Sequence, residues 1–445
     1  MRRSIRIAAS AVVASLVAAA SAAGTAAVPS PLERPAAARS TGDAQFAALT
    51  PTQQATVLNP LRRLATAAAT TGVRRWSSTY SSVSIDAVGR MVTVRLSDSS
   101  ARAGFPAAVH AADPNADVSR LRVLPARYSR RTLLAALRRY AGGVRPDQVR
   151  SISPALDGSG LAVEVAPAAA TNPPAAGTAT ARTATAGGGL TVAVPGGARG
   201  DVTVPVAITT GPARTVKSTS WGAVKWRDTA PFIGGDLLTP NGANYCTAGL
   251  PAVRQSDGHP IMITAGHCFG VGAKVYTGAG PTWHLGDRQV GNYVGTVTAR
   301  SKTWDSATID GANNNADESD TNTWLPLTST AYSYAGDYVC QDGALSFDYG
   351  HPTPCGIKVT NPDLWFRIDG YLARGVEGVD VAHGWGSHNG DSGATVFAVL
   401  DATHRQARGI VSSGGADGTP DQKRVDWIEA PDIFAALHLR LNPAT

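Results

Sequence analysis

Gly390-Asp391-Ser392-Gly393-Ala394-Thr395 is the stretch on which the fold turns. It sets a serine among glycines, which allow turns that bring backbone N–H groups close to a bound molecule. Taken alone, it is an ordinary turn. Upstream, Ile263-Thr-Ala-Gly-His267-Cys268 places a histidine at the end of an apolar, strand-like run. Between the two, Trp304-Asp305-Ser-Ala-Thr-Ile309 places an acid at the start of another. A serine nucleophile needs a base for its proton, a group that orients the base, and donors for the oxyanion. His267 and Asp305 are the candidates for the first two roles, and the Gly390 and Ser392 N–H groups for the third. A G-x-S-x-G elbow is excluded because Ala394 stands where its last glycine belongs, and the chain order is also wrong for it.

The rest of the chain sets the context. Arg2, Arg3 and Arg6 precede an apolar, alanine-rich run, and Ala20-Ser21-Ala22 offers small residues for cleavage. That pattern reads as a secretory signal over residues 1–27. The run is short for a membrane span, and no later stretch is long and apolar enough, so the product is expected to be extracellular and free of the membrane after cleavage. All four cysteines, Cys246, Cys268, Cys340 and Cys355, lie in the C-terminal half. An even number in an exported chain reads as disulfides, and the wide spacings, with no C-x-x-C pair, speak against zinc.

Net charge divides unevenly. Residues 1–232 hold 27 Lys+Arg against 11 Asp+Glu, whereas residues 233–445 hold 13 against 22. No basic patch with interleaved aromatics accompanies the overall +7, so nucleic acid is not the expected partner. Opposite balances instead suggest two parts that bind one another.

Residues 28–75 form an N-terminal pro segment. Leu49, Val57, Leu61 and Leu64 fit a helix there, with Pro51 and Pro60 expected to interrupt it. From Trp76 to residue 166, alternation predicts a hairpin about Gly89, a strand at Leu121-Arg-Val-Leu, and a helix capped by Ser129. A second hairpin then turns at Asp157-Gly158. This is a small α+β domain. Residues 167–232 are linker and pro segment, Ala/Thr/Pro/Gly-rich as far as residue 189. They also hold strand-like runs at 190–194 and 202–208, which find no place from sequence alone. Residues 233–445 are short β-rich segments between Gly, Asn and Asp turns, with helical spacing at 432–441. The acidic stretch 313–320 lacks a calcium-loop signature and reads as a solvated turn. No cofactor and no metal are expected.

On T-A-G-H-C, D-S-A-T-I and G-D-S-G, residues 233–445 resemble the chymotrypsin/trypsin-like serine proteases, in particular their bacterial streptogrisin and α-lytic protease branch. The His–Asp–Ser order is the one found in that family. Ile233-Gly-Gly is similar to the start of a mature chain in this branch, and Cys246-Thr-Ala-Gly-Leu to its first cysteine segment. The resemblance implies an all-β protease domain of two six-stranded antiparallel β-barrels with a C-terminal helix, behind the small α+β prodomain. It further implies Cys246–Cys268 and Cys340–Cys355 bridges, and a triad of His267, Asp305 and Ser392. Gly409-Ile-Val-Ser-Ser-Gly-Gly415 resembles the strand that pairs with substrate, making Ser412, Ser413 and Gly414 substrate-binding, with Ser412 near Asp305. The implied activity is that of a secreted serine endopeptidase, made as a proenzyme and monomeric. Its partners would be protein or peptide substrates and its own propeptide, which acts as folding catalyst and inhibitor.

The departures are specific. Gly393-Ala394-Thr395 replaces the usual Gly-Gly-Pro, and a third disulfide near the serine is missing. The pocket base near Gly386 and Ser387 has no acid, although Asp426 could approach from another strand. A trypsin-fold binding protein without catalytic activity is the alternative from another class.

Overall fold

The computed structural model describes residues 36–144, 149–165, 190–195, 201–211, 225–279, 289–320 and 323–442. The segments expected to be a signal, 1–27, and a linker, 167–189, lie outside the described residues. From Ser40 onward the chain forms one compact unit, and residues 36–39 are the start of the first helix.

The first half begins with α1 (Ala36–Ala47) and α2 (Pro51–Arg75), followed by β1 (Tyr80–Asp86), β2 (Met91–Leu96), α3 (Phe105–Ala112) and β3 (Leu121–Pro125). Strands β1, β2 and β3 form one small sheet. The helix α2 runs unbroken through Pro60, contrary to the interruption that proline predicts. Pro60 lacks an N–H and costs the helix ~3 kcal/mol. Against that stands an apolar stripe of Leu58, Leu61, Leu64 and Ala68, all buried against β1 and β2, where each leucine contributes ~2 kcal/mol. Pro51 sits at the helix start, where no N–H is needed, and Thr50 and Gln53 close a reciprocal cap.

Next come α4 (Arg130–Gly143), capped by Ser129, then β4 (Val149–Pro154), β5 (Leu161–Val165), β6 (Leu190–Val194) and β7 (Val202–Thr210). The strand-like runs left unplaced by the sequence thus have partners: β7 pairs parallel with β5, and β6 antiparallel with β7. Their inward valines and the Leu133, Leu137 and Tyr140 face of α4 form one core.

The second half starts with β8 (Phe232–Gly234), β9 (Leu237–Thr239), β10 (Cys246–Thr247), β11 (Pro251–Arg254), β12 (Pro260–Ala265) and β13 (Lys274–Thr277). It continues with β14 (Tyr293–Ser301), β15 (Ser306–Asp310), β16 (Asn314–Asp320), β17 (Thr323–Thr330), β18 (Tyr338–Gln341) and α5 (Ala344–Asp348). It ends with β19 (Ile357–Ile368), β20 (Tyr371–Asp380), β21 (Thr395–Val399), β22 (Arg405–Gly414), β23 (Arg424–Glu429), α6 (Ala430–Leu437) and β24 (Leu439–Leu441). The acidic stretch is therefore strand β16, not a turn, because its backbone pairs with both β8 and β17. The C-terminal helix is shorter than its apolar spacing predicts, since the chain turns at His438 into β24.

Strands β9 to β15, with β24, make an eight-stranded sheet. In the other large sheet, β18, β19, β20, β23, β22 and β21 pair in a closed antiparallel cycle. A shared core of Leu250, Ile261, Ile263, Phe366, Phe397, Ile410, Ile428 and Phe434 binds the two sheets together.

The first half is joined to the second by backbone and charge. Strand β4 pairs with β19 at Ile152–Trp365 and Ser151–Phe366, which makes the β4–β7 ladder a continuation of the large sheet. Arg62 of α2 bonds Asp337 at 2.8 Å, the Tyr338 carbonyl at 2.7 Å and the Val399 carbonyl at 3.0 Å, all buried. Arg130 pairs with Asp363, and Lys358 with Asp43.

Candidate active site

The pairing of β12 with β15 sets the site. Ala265 lies opposite Ser306, so the residues just beyond them, Gly266–His267 and Asp305, leave the sheet side by side. The Gly266 N–H donates to the Asp305 carbonyl at 2.8 Å, and the His267 N–H to Asp305 Oδ1 at 2.9 Å. Gly266 must be glycine here, since a Cβ would come within 2.7 Å of the Ser306 nitrogen. The His267 ring then points Nδ1 at Asp305 Oδ2, 2.8 Å away, and Nε2 at Ser392 Oγ, 2.9 Å away. The three residues marked in the sequence form one hydrogen-bonded chain.

Asp305 is fully buried and every lone-pair direction is used. Oδ1 accepts from the His267 N–H and from Tyr371 Oη at 2.7 Å; Oδ2 accepts from His267 Nδ1 and Ser412 Oγ. Burial by itself raises the Asp305 pKa, but the His267 charge and these hydrogen bonds outweigh it and the net displacement is downward. Burial pulls His267 down, and the charge and hydrogen bond of Asp305 more than reverse this, leaving it above its usual value. An ionised acid thus fixes an imidazole whose Nε2 faces a hydroxyl, the arrangement that prepares a serine for nucleophilic attack.

The serine sits in a turn held from beneath. Thr247 donates its N–H to the Ser392 carbonyl at 2.8 Å and its hydroxyl to the Gly390 carbonyl at 2.9 Å. Asp391 points the other way, buried, accepting from the Leu345, Ser346 and His388 N–H groups. Gly390 has φ 98°, open to glycine without strain, and a Cβ there would meet Leu345. Among the described residues, neither the Gly390 nor the Ser392 N–H donates a hydrogen bond, so both are left available to an acceptor. Ala394 and Thr395 fit the next strand without disturbing the turn: Ala394 is buried and Thr395 Oγ1 bonds the Gly249 carbonyl at 2.8 Å.

The disulfides are Cys246–Cys268 and Cys340–Cys355. The first anchors the loop carrying His267, with Cys268 Sγ 3.8 Å from the Ser392 carbonyl. Among the described residues, Cys246, His267 and Cys268 are the one cluster with metal-like proximity, and the sulfurs are already bonded to each other.

On β22, Ser412 reaches Asp305, whereas Ser413 Oγ bonds Asp426 Oδ2 at 2.7 Å and Gly414 faces Ser387. Asp426 is thus engaged by Ser413 and lies 3.7 Å from Arg424, which itself pairs with Asp421. Beside Ser387, His351 stacks on Trp385 and Tyr349 on His388, a ring cluster that sequence reading missed. It also missed Tyr371, whose place on the β19–β20 hairpin has no local signature.

No family model and no curated protein sequence match the chain. Among solved structures it is similar to Nocardiopsis protease, at 20% identity and TM-score 0.37, covering 47% of this chain and 98% of that one. It is also similar to Thermobifida fusca protease A, at 18% identity and TM-score 0.37, covering 48% and 98%. A glutamic acid specific serine protease is similar at 18% identity and TM-score 0.38, covering 47% and 100%.

Proposed function

We propose that this chain is a secreted serine endopeptidase made as a proenzyme, hydrolysing peptide bonds through an acyl-enzyme. The observation that carries the reading is the unbroken chain Asp305–His267–Ser392, at 2.8 and 2.9 Å, beside two unused N–H groups. Ser392 Oγ attacks the scissile carbonyl while His267 Nε2 takes its proton. Asp305 holds the tautomer and stabilises the imidazolium, and Tyr371 and Ser412 hold Asp305. The Gly390 and Ser392 N–H groups receive the oxyanion, each such donor contributing ~3 kcal/mol to the barrier reduction. His267 then protonates the leaving amine, and water repeats the sequence to release the acid. Substrate backbone would pair along Ser412, Ser413 and Gly414, and the two halves of the site would come from two six-stranded barrels.

The α+β region would be the propeptide. Its β4–β19 pairing and the buried Arg62 support a role in assembling the second half of the chain. The test is Ser392→Ala. This variant should lose at least ~10⁴-fold in peptide hydrolysis and accumulate as unprocessed precursor. A variant that still hydrolyses peptides would overturn the assignment. Normal processing in a protease-deficient host would overturn only self-cleavage. A binding protein of the same fold would show no hydrolysis in either form.

A further inference from the structure

Asp342 is fully buried, directly before the segment that cradles Asp391, and its carboxylate has one hydrogen-bond donor among the described residues: the Lys225 ammonium. Lys225 is itself buried, and its Nζ also lies 5.4 Å from the Phe347 ring centre. The residues around Lys225 are woven into the second half of the chain. The Lys225 carbonyl accepts the Leu237 N–H at 2.8 Å. Trp226 is buried against Leu237, Tyr245, Ala344 and Leu345. Asp228 accepts the Ile233 N–H at 3.0 Å, and its carbonyl accepts Asn292 Nδ2 at 2.6 Å. On the other side, Gly211 is, among the described residues, the last before this point tied to the first half, through its N–H to the Val165 carbonyl.

From Asp342 the contacts lead straight to the reacting turn. Beyond Gly343, the Ala344 N–H donates to Thr247 Oγ1, the group that holds the Gly390 carbonyl. The Leu345 and Ser346 N–H groups hold Asp391. A buried carboxylate stripped of its partner either draws in water or takes up a proton, and in both cases its surroundings shift.

Resting on the peptidase reading above, we propose that residues 225–232 remain on the mature enzyme, upstream of the start that Ile233-Gly-Gly suggests. There Lys225 is a positioning residue that neutralises Asp342 beneath the Gly390–Ser392 turn. Removing it would uncouple the oxyanion donors from their support without touching substrate contacts.

Two measurements test this. The first is the N-terminus of the wild-type protein recovered after secretion and processing, read by sequencing and intact mass. It should lie between residues 212 and 225. A mature chain beginning at residues 226–233 would overturn the proposal, and one that retains the first half would overturn the proenzyme reading with it. The second is Lys225→Met in the processed enzyme. kcat should fall between about 10-fold and 100-fold, with KM nearly unchanged. Lys225→Met/Asp342→Asn, which removes both charges, should regain most of the loss. An unchanged kcat in Lys225→Met, or no recovery in the double variant, would contradict the positioning role. The N-terminus is read without reference to hydrolysis, so loss of the peptidase reading would not be mistaken for loss of this one.

Discussion

In the proposed role His267 acts as a base only while neutral, and burial, which pulls its pKa down, is outweighed by the charge and hydrogen bond of Asp305, which hold it above the usual histidine value. The pH dependence of kcat/KM should therefore rise with pH through an apparent pKa above that of an ordinary histidine and level off beyond it. Stopped assays across the acidic limb would show this, and a midpoint at or below the ordinary histidine value of about 6.5 would mean that Asp305 does not act on the ring as drawn. At this scale the sequence is informative where chemistry is local. His267, Asp305 and Ser392 each carry their context within a few positions, as with the Gly266 that lets the His267 loop touch Asp305. Tyr371 donates to the same carboxylate from 66 positions away, and nothing around it marks the role. Lys225 is hidden for the same reason, since its partner is 117 positions distant.

Elements were legible where one periodicity dominates. Ser129 and the α4 stripe, the hairpin at Asp157-Gly158 and the β12 run all follow from local pattern. The helix α2 was misread because Pro60 is a local penalty and the burial of Leu58, Leu61 and Leu64 is a tertiary gain. Strands β6 and β7 were visible as alternation but without a neighbour, because register belongs to the pair and not to either strand. Strand β16 reads as a turn from sequence because its acidic composition hides a backbone that pairs on both sides. The most consequential contact of α2 is Arg62, which fills a site made by Asp337 and two carbonyls of the second half. Arg62→Ala should destabilise the full chain by ~1–3 kcal/mol, because two buried carbonyls lose their donor while Asp337 keeps Arg408 at 3.2 Å. The urea midpoint of a Ser392→Ala precursor, with and without the change, measures it. A shift below about 1 kcal/mol would place Arg62 among ordinary surface contacts.

Across the whole molecule, the opposite charge balances of the two halves find concrete form in a few cross-pairs. Among the described residues, Arg62–Asp337, Arg130–Asp363 and Lys225–Asp342 run from a basic residue of 1–232 to an acid of 233–445; Lys358–Asp43 runs the other way. Arg62–Asp337 and Lys225–Asp342 are buried and little screened, whereas Arg130–Asp363 and Lys358–Asp43 are partly exposed. If the first half is the propeptide proposed above, its inhibition of the second half, once released, should therefore weaken from about 50 mM to 500 mM salt without vanishing. Inhibition independent of salt would leave the charge asymmetry without a role. The account as a whole depends on Ser392 being a nucleophile activated by His267. The most direct measurement is labelling the processed protein with a fluorophosphonate and mapping the adduct by peptide mass spectrometry. A single adduct on Ser392, formed faster as His267 deprotonates and absent from His267→Ala, is the predicted result. An unlabelled protein, or label elsewhere with Ser392 unmodified, would contradict the account.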